Sequence, residues 1–594
     1  MFQSFEATTR PEQGPSRLAA LQVAMAEYKV AAFVVPRADV HQGEYVAPCD
    51  ERLAWLTGFT GSAGFAVALA EEAAIFVDGR YTVQVRAQVA TDCFSPVDWP
   101  KTKLGPWLAE RLAPEDTVGF DAWLHTQAEV EALEKEGLTL RPLPNLVDAI
   151  WTDRPGPPAG KVAPYPDSLA GVKSAEKRAN AAATLRGAGH KAAVLTLPDS
   201  ISWLLNIRGA DLTHMPVVQA FAILHDDGRI DIFADAAKMA DVIEYLGPDV
   251  RVSPRDAFDT ALRSLSGPVR VDPKTAPYAV SLALGAAGID IAAADDPCIL
   301  PKATKSAAEI SATTEAHLRD GAAVVEFLAW LDATAPGGML TEIDIVEKLE
   351  GFRRATNALH DIAFDTIAGS GPNGAIVHYR VTRESNRTVQ PGDLLLIDSG
   401  GQYQDGTTDI TRTVTTGVPT DAQRDAFTRV LQGMIAISRA RWPRGLAGRD
   451  LDPLARAPLW MAGQDFDHGT GHGVGVFLGV HEGPQRISRV SDVPLRPGMI
   501  LSNEPGYYRE GAWGIRIENL VVVEEAESLG DGRDHLSFAT LTWAPIDTRL
   551  VRAEWLSPGE RDWLNAYHAQ VLENIAPRVS VNAKGWLKAA TRAI

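Results

Sequence analysis

Cysteine is scarce. The 594-residue chain has three, Cys49, Cys93 and Cys298, scattered and odd in number, a spacing that excludes a disulfide framework or a thiolate metal site and fits a reducing compartment. Long apolar runs are missing too: no stretch of about eighteen apolar residues occurs, so no membrane-spanning helix is expected. The N-terminus, MFQSFEATTRPEQGPSR, is polar and lacks the apolar core of a secretory signal. Basic charge is in deficit, with 57 Lys and Arg against 76 Asp and Glu and a net charge of −19. A surface of that sign repels phosphate backbones and no local basic patch stands out, so neither nucleic acid nor a membrane is an expected partner. Low-complexity tracts are absent, and 45% hydrophobic with 22% charged residues is the composition of a globular protein. A cytoplasmic location is expected, and the surplus carboxylates are available to gather around metal.

The length predicts roughly three or four domains at ~150 residues each, or two to three if one is large. Leu18, Leu21, Met25 and Tyr28 recur at helical spacing and AAFVV (31–35) follows as a buried strand, which opens an α/β unit. The unit ends where Pro155, Pro157, Pro158, Pro164 and Pro166 crowd a segment that reads as a linker. A second unit has a helical run from Ser174, a strand AAVLTL (192–197) and a hairpin signal around Asp227-Gly228. Trp55-Leu56 with Gly58 in the first unit echoes Trp203-Leu204 with Gly209 in the second, which suggests a duplicated small domain whose tryptophans serve the core. Beyond Pro297 and Pro301, Ser306-Ala307-Ala308-Glu309 forms a capping box that should start a long helix. The expected domains are residues 1–160, 161–303 and 304–594.

Within the third segment two stretches share one layout. Pro391-Gly392 and Pro497-Gly498 each precede an apolar strand that ends in a carboxylate seven residues after the proline, Asp398 and Glu504. Each is followed by a turn-rich stretch and a second strand with an acid of its own, Asp409 in TDITRTV and Glu518 in GIRIENLVVV. Pairing Asp398 with Asp409 centres one turn near Tyr403-Gln404, and pairing Glu504 with Glu518 centres the other on Gly511; Asp405-Gly406 is a competing turn signal in the first hairpin. Facing carboxylates in a partly buried site repel and take up protons unless a cation neutralises them, and four of them suit two divalent ions. The alternative is that each acid is solvated or paired with Arg412 or Arg516.

His468 to Gly475 reads HGTGHGVG. It lacks the third glycine of a dinucleotide fingerprint and the Lys-Ser/Thr of a phosphate loop. It also lacks the helical glutamate that zinc proteases place between their histidines, and so many glycines would break the helix. Glycines do allow a tight backbone path by which an imidazole reaches into a cavity. One nitrogen with four carboxylates favours a hard ion such as manganese, with zinc, cobalt or iron as alternatives.

The order Asp398, Asp409, His472, Glu504, Glu518, set in TDITRT, HGTGHGVG, HEGP, EPGYY and GIRIEN, resembles the pita-bread metallopeptidases, and GPNGAIVHY (371–379) resembles the aminopeptidase P family among them. Two N-terminal domains and the tail LTWAPID…WLNAYH are similar to its long three-domain, cytosolic form. The resemblance implies an α/β and α+β chain: two creatinase/prolidase-like N-terminal α/β domains, then a C-terminal pita-bread catalytic domain with an extension. It implies removal of the N-terminal residue from peptides with proline second, by a hydroxide bridging two divalent ions, Mn2+ ahead of Zn2+ or Co2+. The ligands would be Asp398, Asp409, His472, Glu504 and Glu518, with Glu504 and Asp409 among the shared ones and Glu504 also moving the proton. His378, His468 and His481 would orient substrate and stabilise the tetrahedral intermediate, and Arg516 would support Asp398 or bind the substrate amine. A homodimer is implied. The rival readings are a prolidase, a methionine aminopeptidase, the metal-free creatinase and a non-catalytic peptide-binding module. The aromatic tail with Trp555, Trp563 and Trp586 is expected to pack on the catalytic domain or on a second subunit.

Overall fold

The computed structural model describes residues 1–530 and 532–594. They divide into two compact units, one of residues 8–302 and one of residues 1–7 with 303–594. The first seven residues, read in sequence as the start of the first α/β domain, thus belong with the C-terminal unit.

The 8–302 unit holds two six-stranded mixed sheets of the same design. In the first, Ala32–Pro36 pairs antiparallel with Phe65–Leu69, which pairs antiparallel with Ala73–Val77. Phe94–Asp98 then adds in parallel at one edge, and Thr117–Phe120 and Thr139–Pro142 add in parallel on the other side. The second sheet repeats that order with Ala192–Leu195, Phe221–His225, Ile230–Phe233, Val250–Ser253, Val269–Val271 and Ile291–Ala293. The sequence echo between the halves is therefore a repeat of topology. The Asp227-Gly228 signal is a hairpin with Leu224 opposite Ile230, and Gly228 supplies the positive φ, +89°, that closes it. The proline-rich segment is not all linker: Val162–Pro164 pairs with Ile207–Gly209 in a two-stranded ladder, short enough for prolines to be tolerated.

The C-terminal unit is built of two halves, each two helices followed by a hairpin. Helix α1 (Ala307–Thr334) starts at the expected capping box, with Ser306 and Glu309 each bonding the other's backbone. It packs with α2 (Glu342–Arg354) on a three-stranded sheet of β1 (Ile367–Ser370), β2 (Leu394–Ser399) and β3 (Ile410–Thr415), with β2 in the middle. Leu395, Leu396 and Ile397 of β2 pack against Phe327, Leu328, Val346 and Leu349 of the helices. The second half has α3 (Asp421–Ser438), β4 (Arg441–Pro443) and α4 (Gly448–Trp460), then β5 (Gly471–Gly473), β6 (Glu482–Ile487) and β7 (Ile500–Asn503). A two-stranded ribbon of β8 (Gly506–Arg509) and β9 (Trp513–Arg516) leads to β10 (Asn519–Glu525) and β11 (His535–Thr540). Six of these strands form one sheet in the order β4-β11-β10-β7-β5-β6. The duplicated Pro-Gly turns match in conformation, with φ of +92° at Gly392 and +90° at Gly498. The tail folds back as α5 (Pro558–Ile575) and α6 (Val581–Ala590). Leu564, Tyr567, Val571, Ile575 and Leu587 join Phe427, Leu431 and Met434 of α3 in one core, so the aromatic tail packs on its own unit.

Candidate metal centre

Asp398 is the last residue but one of β2, the central apolar strand, and lies opposite Thr411 of β3. Asp409 sits two residues before Thr411 and so shares that face by the period of two. The two-residue turn Gln404-Asp405 between paired Tyr403 and Gly406 sets this register, which moves the partner of Asp398 two residues on from the direct Asp398–Asp409 pairing expected. In the second hairpin Asn503 faces Asn519 and Gly506 faces Arg516. Glu504 and Glu518 fall between those two ladders in the register centred on Gly511. His472 comes from β5, which can approach its neighbours because its glycines have no side chain: a Cβ on Gly471 would lie 1.9 Å from the Ser502 carbonyl oxygen, and one on Gly473 would lie 2.3 Å from that of Glu482.

These elements converge. Ligand atoms of Asp409, His472 and Glu518 all lie within 4.8 Å of one another. The His472 Nε2 is 3.5 Å from Asp409 Oδ2 and 3.4 Å from Glu504 Oε1. Its Nδ1 bonds the Gly473 carbonyl at 2.9 Å, which orients the ring and leaves Nε2 to face the acids. Glu504 Oε1 accepts from the Ser502 hydroxyl at 3.0 Å, and Ser502 Oγ in turn accepts from the His472 backbone N–H at 2.9 Å. Asp398 accepts from Arg516 Nη2 at 2.5 Å, and Glu518 Oε2 accepts from the Thr411 hydroxyl at 2.7 Å. The other oxygens are unpartnered: among the described residues Asp398 Oδ1, Asp409 Oδ1 and Glu518 Oε1 are buried without a hydrogen bond. A buried, unpartnered carboxylate oxygen is costly, and two of the three belong to Asp409 and Glu518, whose ligand atoms meet that of His472, an arrangement that fits a divalent cation.

The titration behaviour says the same. Burial, with the charges of Asp398 and Glu504, pushes Asp409 up to about 7, although the hydrogen bond from His472 works the other way. Burial followed by the charges of Asp409, Glu504 and Asp398 lifts Glu518 well above the carboxylate range. Burial disfavours the His472 imidazolium, but its bond to Asp409 and the charges of Glu504 and Asp409 outweigh that and hold it at about 9.

Around this cluster the expected histidines take different places. The His481 ring lies edge-on to His472 with centroids 4.2 Å apart. His468 Nε2 is 2.9 Å from the Tyr508 hydroxyl, which accepts from Arg516 Nη1 at 2.7 Å. His468 thus reaches Asp398 through Tyr508 and Arg516. His378 follows Val377, whose carbonyl accepts from Arg516 Nη1 at 3.3 Å. Arg516 is fully buried and bonds Asp398 directly and His468 by way of Tyr508. Arg412, the other cation suspected of pairing with the acids, makes no ion pair among the described residues. Sequence reasoning did not single out Tyr508, Thr411 or Ser502. For Thr411 and Ser502 the signal was present: each stands two residues from a candidate ligand, a spacing that keeps it on the same face.

The chain matches the metallopeptidase family M24 over residues 311–525 and the C-terminal region of that peptidase over residues 534–594. Residues 17–150 and 153–309 each match the creatinase/prolidase N-terminal domain. Aminopeptidase P2 of Arabidopsis thaliana is 39% identical over 94% of this chain and 86% of its own length. The chain belongs to this family. A probable Xaa-Pro aminopeptidase P of Laccaria bicolor is 37% identical over 96% of this chain and 92% of its own. The solved X-prolyl aminopeptidase of Caenorhabditis elegans, described as a cytosolic enzyme with a di-nuclear active site, is 33% identical and superposes with a TM-score of 0.93 over 98% of this chain and 100% of that one. A dipeptidase of Mycobacterium ulcerans, 28% identical with a TM-score of 0.53, covers 64% of this chain and 98% of its own. M24 peptidases are metal-dependent hydrolases, and both halves of the expected architecture, paired N-terminal domains and a pita-bread unit, are present in this one.

Proposed function

We propose that this protein is an Xaa-Pro aminopeptidase, releasing the N-terminal residue from peptides with proline second. The observation that carries this is likeness along nearly the whole chain, both N-terminal domains and the C-terminal region included, to proteins of that name; the dipeptidase likeness stops at about two thirds. Asp398, Asp409, His472, Glu504 and Glu518 would hold two divalent ions, with manganese favoured by the oxygen-rich donor set. When bound, such ions supply Lewis acidity and a water acidic enough to attack at neutral pH. Glu504, fixed by Ser502 and beside His472, accepts the proton of the attacking water and returns it to the proline nitrogen, a secondary amine that leaves poorly without it. His481, His468 and His378 orient the peptide and stabilise the oxyanion, and Arg516 holds Asp398 in place. The domain bounds read from the sequence, 1–160, 161–303 and 304–594, are proposed with one change, residues 1–7 being counted with the last.

A homodimer and a cytoplasmic location belong to the same reading. Leu454, Trp460 and Met461 stand exposed along α4 and just beyond it, with Val490 also exposed, an apolar face suited to a second copy. No helix among the described residues is long and apolar enough to cross a membrane.

The test uses metal-stripped protein with Arg-Pro-Pro and Arg-Ala-Ala peptides, before and after Mn2+ is restored. Arginine release from the proline peptide alone, dependent on metal, is expected. Cleavage of both, or of neither, overturns the assignment, and faster turnover of an Arg-Pro dipeptide than of the tripeptide favours a prolidase.

A further inference from the structure

Arg412 lies on β3 between Thr411 and Thr413 and points to the opposite face of the strand from the candidate ligands. It is 3% exposed. A buried guanidinium normally finds a carboxylate, because removing a lone cation from water is costly. Arg412 instead spends its donors on neutral oxygens. Its Nη1 donates to the carbonyls of Thr411 at 2.9 Å and Glu518 at 2.6 Å. Nη2 donates to Asn519 Oδ1 at 2.8 Å, to the Ala544 carbonyl at 2.8 Å and to the Tyr567 hydroxyl at 3.0 Å, and Nε donates to the Pro545 carbonyl at 3.0 Å.

Asn519 apart, the acceptors fall into two groups. Thr411 and Glu518 are the pair whose side chains meet at 2.7 Å inside the centre, and the same guanidinium grips both of their backbones from behind. Ala544, Pro545 and Tyr567 belong to the C-terminal extension. Tyr567 on α5 is itself held, stacked on Trp563 at 5.2 Å and 4° and on Trp543 at 5.8 Å and 20°, with its hydroxyl donating to the Ala544 carbonyl at 2.8 Å.

We propose that Arg412 is a positioning residue of the metal centre, clamped by Tyr567 and the 544–545 carbonyls, and that through it the C-terminal extension sets the centre's affinity for divalent ions. This rests on the reading of Glu518 as a ligand. Ligand oxygens must sit within a few tenths of an ångström of their places, and releasing the guanidinium frees the main chain at Glu518 to drift.

The test titrates metal-stripped, full-length protein with Mn2+ by calorimetry. Tyr567→Phe keeps the stacked ring and removes the hydroxyl; it is expected to weaken Mn2+ binding about tenfold, as loss of a partner behind a ligand does, with KM at saturating Mn2+ unchanged. Arg412→Lys keeps the charge, gives up the fork and is expected to lose at least as much. Val571→Ala, buried in the core on the same helix but absent from the Arg412 contacts, is expected to lower the melting temperature and keep the parent's Mn2+ affinity. Tyr567→Phe within about twofold of the parent, or Val571→Ala losing as much as Tyr567→Phe, overturns the proposal and leaves the metal-centre reading standing. A parent that binds no Mn2+ overturns both.

Discussion

Arg516 shows how one side chain can serve several functions at once. It donates to Asp398, to the Tyr508 hydroxyl, to the Thr411 hydroxyl and to the Val377 carbonyl, and it is among the largest fully buried side chains. Replacing it by methionine leaves Asp398 buried with no partner for either oxygen, and breaking a buried pair costs about 3–5 kcal/mol. Urea unfolding of the C-terminal unit of Arg516→Met, metal-free at pH 7, is expected to show a loss of that order, partly recovered with Mn2+. A variant as stable as the parent would mean that Arg516 neutralises nothing. The candidate acids were legible because their spacing is duplicated around Pro-Gly turns, and His472 because the glycines of HGTGHGVG mark a close approach. Tyr508 was not, since a tyrosine in an exposed-looking EPGYY turn carries no sign that its hydroxyl links His468 to Arg516.

At the scale of elements, the sequence announced both hairpins but only one register. The second has one glycine at its tip and one register that suits it. The first carries two turn signals, and the selected pairing, Tyr403 with Gly406, lies between them, because it lets Leu394 to Ser399 run unbroken against Ile410 to Thr415. The glycines of HGTGHGVG are needed for proximity and not for left-handed backbone: neither Gly471 nor Gly473 has a positive φ. Gly471→Ala would drive β5 off β7 and carry His472 with it, and displacement of a catalytic group by an ångström can cost about a hundredfold. Loss of activity of at least that order and weaker Mn2+ binding are expected. Gly469→Ala, whose added carbon meets nothing closer than 3.5 Å, is expected to keep its Mn2+ affinity. Equal behaviour of the two variants in calorimetry would contradict the close-approach argument.

At the scale of the molecule, the charge gathered in the centre couples metal, protons and stability. Without metal, His472 is held at about 9, against roughly 6.5 for a free imidazole. Between those values the folded state keeps a proton that the unfolded chain has released, so stability declines as pH rises through the interval. Asp409 acts with the same sign up to about 7. Burial pushes His41 down to about 3, and burial followed by the charge of Arg412 pushes His568 down to about 4. These two act with the opposite sign, but only below about 6.5; burial also raises the Cys49 and Cys298 thiols, which add to the decline only as pH nears about 8.5, so pH 7 to 8 is left to the centre. Mn2+ displaces the retained protons and binds more tightly as pH rises, and a ligand at ~100 times its Kd adds about 2.7 kcal/mol. Melting curves at pH 7, 8 and 9 are expected to show a falling melting temperature without Mn2+ and a widening gain with it. Hydrogen exchange should place the added protection in residues 394–415, 471–473 and 500–525. A Mn2+ gain that shrinks with pH would contradict the assignment of the acids as ligands.

The sequence by itself determined the duplicated layout that carries the candidate donors and the two N-terminal α/β repeats, because each is written in local spacing of turns and apolar strands. Only the tertiary structure decided that the first seven residues join the last half of the chain, and that the tail completes the unit behind the metal ligands. It also decided that Arg412 faces carbonyls while Arg516 faces a carboxylate. Those outcomes depend on which distant segments share a dry interior, and no spacing along one strand encodes what will be packed against its other face.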